Sequence, residues 1–258
     1  MSLFISSVFT YDEDAGNYIQ AVEGPSGDNQ ALEPATRKAI NDFVIGCKQD
    51  GIWTAIKASC ILAGARTRLG ALTPLVGTAP DSFNFVDANY NRKTGLVGDG
   101  STKYLDSNRN ATADPQDNRH FSVYTSITDT GSAKSFIAAR TTGSVGNAFM
   151  DRNDPFVRVT NNGAISSYNI PTQPGIYGSS RAASSGHNVK LPGSAPVFFA
   201  DVSNAPLSAS FTIFARDSGA SGFAAHRLAF YSIGESLDLA LLDARVTDLI
   251  NAFAVTIP

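Results

Sequence analysis

Glycosidic bond cleavage needs two carboxyl groups flanking one bond. The chain has only four glutamates, Glu13, Glu23, Glu33 and Glu235, and all lie outside the region that reads as central strands. No E-x-D-x-E strand occurs, and there is no G-x-S-x-G elbow, H-E-x-x-H helix or Walker loop. The three histidines, His120, His187 and His226, are scattered, and His120 and His226 stand beside arginines at strand starts, as structural histidines do. Two acidic loops, 106–117 and 151–154, offer oxygen ligands of the kind calcium takes, but neither has EF-hand spacing and both read as solvated turns. The reading is of a protein that is not an enzyme, with no catalytic residue, no metal and no cofactor. What remains are loop aromatics and amides: Tyr90, Tyr168, Asn169, Tyr177, His187 and Asn188, with Asn161 and Asn162. Aromatic faces stack on sugar rings and amide side chains both donate and accept, so this set points to carbohydrate binding.

These residues are positioned by a chain that changes period twice. Glu33-Pro34 opens a helix, since proline at the first helical position loses no needed N–H. Ile40, Phe43, Val44 and Cys47 follow at helical spacing, and Gly51 stands as a stop. Ile52 to Ala65 reads as a second, shorter, mostly buried helix. From Phe83 the runs are short, alternate apolar with polar, as in Phe121 to Ile127, and are separated by Gly, Pro, Asn and Asp. That pattern predicts an antiparallel sandwich of about a dozen strands. Within it, Tyr90 to Asn108 reads as strand, GDGS turn, strand, at a sheet edge. A last helix begins at Asp238 and carries Leu241, Leu242, Val246, Leu249, Ile250 and Phe253 on one face.

The division that follows is an arm and linker over 1–32, a helical segment over 33–65, and a β-sandwich with its terminal helix over 66–258. The arm residues Leu3, Phe4, Ile5, Val8 and Phe9 form an apolar strand expected to dock on another chain. A net charge of −3 supplies no basic stripe for nucleic acid. No window approaches the roughly 18 apolar residues of a membrane span. The first residues lack the charged region of a secretory signal, so synthesis in a cytoplasm is expected. Cys47 and Cys60 read as two small buried thiols.

Three segments, KQDGIWTAIKASCILAG (48–64), ALTPLVGTAP (71–80) and FNFVDANYNRKTGLVGDGSTKYLDS (83–107), together with the SIGESLD ending, carry a family likeness. They resemble tailed-phage and prophage virion structural proteins with a concanavalin A-like, laminin-G-like jelly-roll domain. The resemblance runs roughly from Glu33 to Phe253. It implies a mainly β protein, a concanavalin A-like antiparallel jelly-roll sandwich with N-terminal helices and one C-terminal helix. It also implies a virion location, made in the host cytoplasm, as a lectin-like component of capsid decoration or of a head or tail fibre. The alternatives are a receptor-recognition adhesin and, less favoured, a polysaccharide depolymerase. The expected partners are other capsid or tail proteins, further copies of the chain (a trimer first), and a host surface glycan. The family shares no catalytic motif to carry over.

Overall fold

The computed structural model describes residues 10–24, 30–171 and 173–258. The arm residues Leu3, Phe4, Ile5, Val8 and Phe9 lie outside the described residues. The first described element corrects the reading of 1–32 as arm and linker: α1 (Glu13–Glu23) is a helix capped by Asp12, whose carboxylate accepts the Asp14 N–H. Ala15, Tyr18, Ile19 and Val22 are its buried face, the i, i+3, i+4, i+7 set of an amphipathic helix. Next, α2 (Pro34–Gln49) has Pro34 in its first turn and buries Ile40, Phe43, Val44 and Cys47, as the sequence predicts.

The expected helix over Ile52 to Ala65 is not formed. A single 3-10 turn, Trp53–Ala55, leads into β1 (Ile56–Ile61), so the sandwich starts ahead of Arg66. A short, mostly apolar run reads equally as buried helix or buried strand, and here tertiary cover decides. Ile61 faces the helices, whereas Ala58, Cys60 and Leu62 face the sandwich interior. Cys47 and Cys60 thus belong to cores on opposite sides of one sheet, and both are free thiols.

Two antiparallel sheets make the sandwich, in a jelly-roll-like arrangement. The first, of nine strands, runs β14 (Val197–Ala200), β13 (Gly186–Lys190), β12 (Gly175–Ala183), β7 (Arg119–Ile127), β16 (Arg227–Gly234), β1, β2 (Pro74–Val76). The hairpin of β4 (Tyr90–Asn91) and β5 (Gly95–Val97) adds to β16. The second, of seven, runs β11 (Ser166–Asn169), β10 (Phe156–Asn161), β9 (Ala148–Asn153), β8 (Lys134–Ala139), β15 (Ser210–Ile213), β6 (Tyr104–Asn110), β3 (Asp81–Phe83). Between the sheets lie Phe121, Val123, Tyr177 and Tyr231 from one side and Phe136, Met150, Val159 and Phe211 from the other. The helices cover the outer face of the first sheet, where Phe43 meets Phe230 edge-on at 5.8 Å.

The GDGS turn has a different task from the one read in the sequence. The hairpin closes earlier, between Asn91 and Gly95, and residues 98–103 then carry the chain from the first sheet to the second. Asp99 shapes this crossing by accepting the N–H groups of Ser101, Thr102 and Lys103, which hold its carboxyl well below the usual range. Gly98 must be glycine because a Cβ there would stand 2.0 Å from the Ala224 carbonyl oxygen. A single turn, α3 (Arg68–Ala71), follows β1, and at the C-terminus α4 (Leu239–Thr256) is capped by Asp238, which accepts from Ala240 and Leu241 N–H. Five of the six expected face residues are buried, but Leu241 points outward, 37% exposed.

A cleft between two sheet edges

The strands β11 and β14 are the last of their sheets on the same side of the sandwich, and a cleft of about 530 Å³ opens between them. One wall is the end of β11 and the following loop: Tyr168, Asn169, Ile170, Pro171 and Gln173. The other is the turn after β13, Leu191 to Ser194, with Val197 of β14. Val189 and Leu191 are buried and close the floor. Prolines stiffen both loops, and the turn is fastened by the Ser194 hydroxyl, which donates to the Leu191 carbonyl at 3.0 Å. Gly193, at φ +73°, lies directly under Gln173: a Cβ there would be 1.5 Å from Gln173 Nε2.

The Tyr168 hydroxyl and the Asn169 and Gln173 amides make no hydrogen bond to another described residue, and the two amides are exposed. Unengaged donors and acceptors beside an aromatic face, over an apolar floor, suit a ligand with both hydroxyls and C–H faces. Among the described lining residues there is no carboxylate or imidazole, so the cleft offers stacking and neutral hydrogen bonding.

Of the residues singled out in the sequence, the structure brings Tyr168 and Asn169 together in this cleft and disperses the rest. Tyr177 is corrected from loop aromatic to core: it is fully buried and stacks on Phe136, centroids 4.4 Å apart. His187 is also interior, with Nδ1 within 3.1 Å of both Asp201 and Arg181. Asn188 is exposed on β13 but on the face opposite Val189, away from the cleft. Tyr90 is half-buried, its hydroxyl donating to the Ala65 carbonyl at 2.7 Å. Asn161 and Asn162 are buried. Gln173, Pro171, Pro192 and Ser194 went unread; the P-T-Q-P-G and L-P-G-S-A-P runs, two proline-stiffened loops of which the first carries an amide, were the available signal.

Two other polar groups hold the fold together. On the outer face of the second sheet, Asp151 is fully buried under Arg158 and Arg216, which reach it at 2.8 and 2.6 Å. His120 and His226 sit neutral in the interior. His120 Nδ1 donates to the Glu235 carbonyl and His226 Nδ1 accepts the Asp129 N–H, and burial pulls their pKa values down to about 4 and about 3. The acidic loops are likewise engaged by protein: Asp114 by Arg109, and Asp154 by Arg152 and the Gly131 N–H. No helix among the described residues is long and apolar enough to cross a membrane.

Fold and cleft together define a jelly-roll-like β-sandwich with an edge cleft. No protein-family model and no curated protein matches the sequence. Among solved structures, the chain is similar to a GH54 α-L-arabinofuranosidase soaked with a cyclic sulfate inhibitor, at 9% identity and TM-score 0.43, covering 61% of this chain and 40% of that one. It is similar to a mutant of HCR/D at 10% identity and TM-score 0.46, covering 75% and 50%. The NanB sialidase from Streptococcus pneumoniae matches at 9% identity and TM-score 0.37, covering 57% and 27%. The chain therefore spans half or less of the length of these proteins. The reading that the chain is not an enzyme is corrected by these neighbours, because glycosidases and sialidases are prominent among them. At such scores the likeness assigns no activity, substrate or catalytic residue to this chain.

Proposed function

We propose that the protein is a surface component of a bacteriophage virion whose sandwich binds a neutral glycan in the cleft between β11 and β14. The observation that carries glycan binding is the set of polar groups on Tyr168, Asn169 and Gln173, which bond to no other described residue, above the apolar floor of Val189 and Leu191. The virion location is supported by the sequence resemblance that runs from Glu33 to Phe253. On this reading the partners are capsid or tail proteins, further copies of the chain, and a host surface glycan.

Saturation-transfer NMR with a panel of neutral host oligosaccharides tests the cleft. Wild-type protein is expected to bind, and Gln173→Ala and Asn169→Ala, both at exposed positions, to weaken binding about five- to ten-fold each, the loss of one hydrogen bond apiece. Tyr168→Phe keeps the ring and removes the hydroxyl, separating stacking from hydrogen bonding. Binding that survives all three substitutions unchanged would refute the site. A cryo-EM map of intact particles tests the location independently.

A further inference from the structure

Toward the far end of β12 from the cleft, two arginines face the interior from directly opposed positions. Arg181 of β12 is the register partner of Arg119 of β7. Both follow the alternation of Tyr177 and Phe121 and so project between the sheets, where they are 0% and 1% exposed. Opposed residues on one face of an antiparallel pair stand about 5 Å apart at Cβ, and like charges there repel.

Arg181 is fully answered by protein. Its Nη2 donates to Asp201 at 2.6 Å, its Nε to the Asn161 carbonyl at 2.9 Å, and its Nη1 to the Ala183 and Gly186 carbonyls. The other Asp201 oxygen accepts the Ala164 N–H. Arg119 is the opposite case: Nε, Nη1 and Nη2 are all buried and none donates to a described residue. Its guanidinium lies 5.9 Å from the centroid of the Phe211 ring. The carboxylate that favours its charge, Asp114, has both oxygens engaged by Arg109.

The charge persists. Burial, offset in part by Asp114 and reinforced by Arg181, pulls the Arg119 pKa down to about 10, which leaves a cation at neutral pH. Burial also lowers the His187 pKa, which favours the neutral imidazole, and a neutral ring answers no cation. Arg109, Arg119 and Arg181 therefore have two carboxylates among them, Asp114 and Asp201, and one positive charge is in surplus. Water can accept from the Arg119 donors, but it leaves the charge unanswered, and an uncompensated buried charge is strongly destabilising.

We infer that Arg119 anchors a small monovalent inorganic anion, of the chloride class, between the two sheets. A monovalent ion balances the one surplus charge and accepts the guanidinium donors together. The site is separate from the cleft and does not depend on glycan binding.

Thermal melts in sodium chloride and in sodium gluconate at equal ionic strength test this, because gluconate is too large to enter a closed interior. Chloride is expected to raise Tm by a few degrees in a saturable manner. Arg119→Met keeps much of the stem without the charge and is expected to lose the chloride response. Equal Tm in the two salts, or an undiminished response in Arg119→Met, overturns the inference. Should that variant not fold, wild-type crystals grown in sodium bromide decide. An anomalous peak within hydrogen-bonding distance of the guanidinium supports the site, and water density alone there overturns it.

Discussion

Acidification between pH 6.5 and 4.5 is expected to destabilise this protein through His120 and His226. Both rings are buried, 1% and 0% exposed, and neither can become an imidazolium without losing an interaction. Protonating His226 Nδ1 would set a proton against the Asp129 N–H it now accepts, and protonating His120 Nε2 would remove the acceptor beside the Ser232 hydroxyl. Their folded pKa values, about 3 and about 4, lie below the ordinary 6.5. The unfolded chain therefore binds more protons once the pH falls below 6.5, and stability falls with it, down toward the folded values. Each histidine contributes a slope of about 1.4 kcal/mol per pH unit, so the pair removes about 5 kcal/mol over two units. That is comparable with the whole stability of a weakly stable domain, about 5–15 kcal/mol. Glu33 is held at about 2, below its ordinary 4.5, so its own contribution is lost only as the pH falls from 4.5 toward that value, outside this window. Urea unfolding at pH 7.0, 6.0, 5.0 and 4.5, read at constant m, measures the slope. His226→Gln retains an acceptor for the Asp129 N–H and should remove about half of it. A stability unchanged from pH 7.0 to 4.5 would show that these rings are not buried in neutral form.

Two further substitutions probe how the layers are joined. Glu33 closes the N-terminus of α2 onto the β4–β5 hairpin by accepting two bonds from Arg92 at 3.1 and 2.8 Å, with Arg66 at 3.0 Å. Glu33→Gln is expected to cost about 3 kcal/mol at pH 7 by chemical denaturation, and little at pH 2, where the wild-type carboxyl is itself half protonated. Gly98→Ala drives a Cβ into the Ala224 carbonyl and should cost about 2 kcal/mol or more, because the obstacle is backbone. Gly143→Ala, at φ +82° with open space around the Cβ, carries only conformational strain of about 1 kcal/mol and serves as the control. Equal Tm losses in the two alanine variants would remove the steric account.

Helices were legible where capping and periodicity agreed. Pro34 and Asp238 mark starts, and the buried faces of α2 and α4 recur at helical spacing. In α1 the same spacing was present at Ala15, Tyr18, Ile19 and Val22, but the acidic and polar run that continues through GPSGDNQ gave it the look of a linker. The β1 error is of another kind, because nothing local distinguishes Ile56 to Ile61 from a buried helical turn. Its strand state depends on β16 and β2, which lie far along the chain or fold back onto it.

The candidate site divided for a related reason. Tyr168 and Asn169 could be read because they end a strand at an edge, where side chains of either face reach solvent. Tyr177 and His187 could not, because a polar, glycine-rich run such as GIYGSSR resembles an exposed strand. In β12 one fact of register decides everything: with Tyr177 turned inward, Ser179 and Arg181 must turn inward too, since side-chain period is two. The buried arginine pair is thus a consequence of packing Tyr177 against Phe136. The sequence hides it because the carboxylate that answers Arg181, Asp201, arrives from beyond β14, twenty residues later.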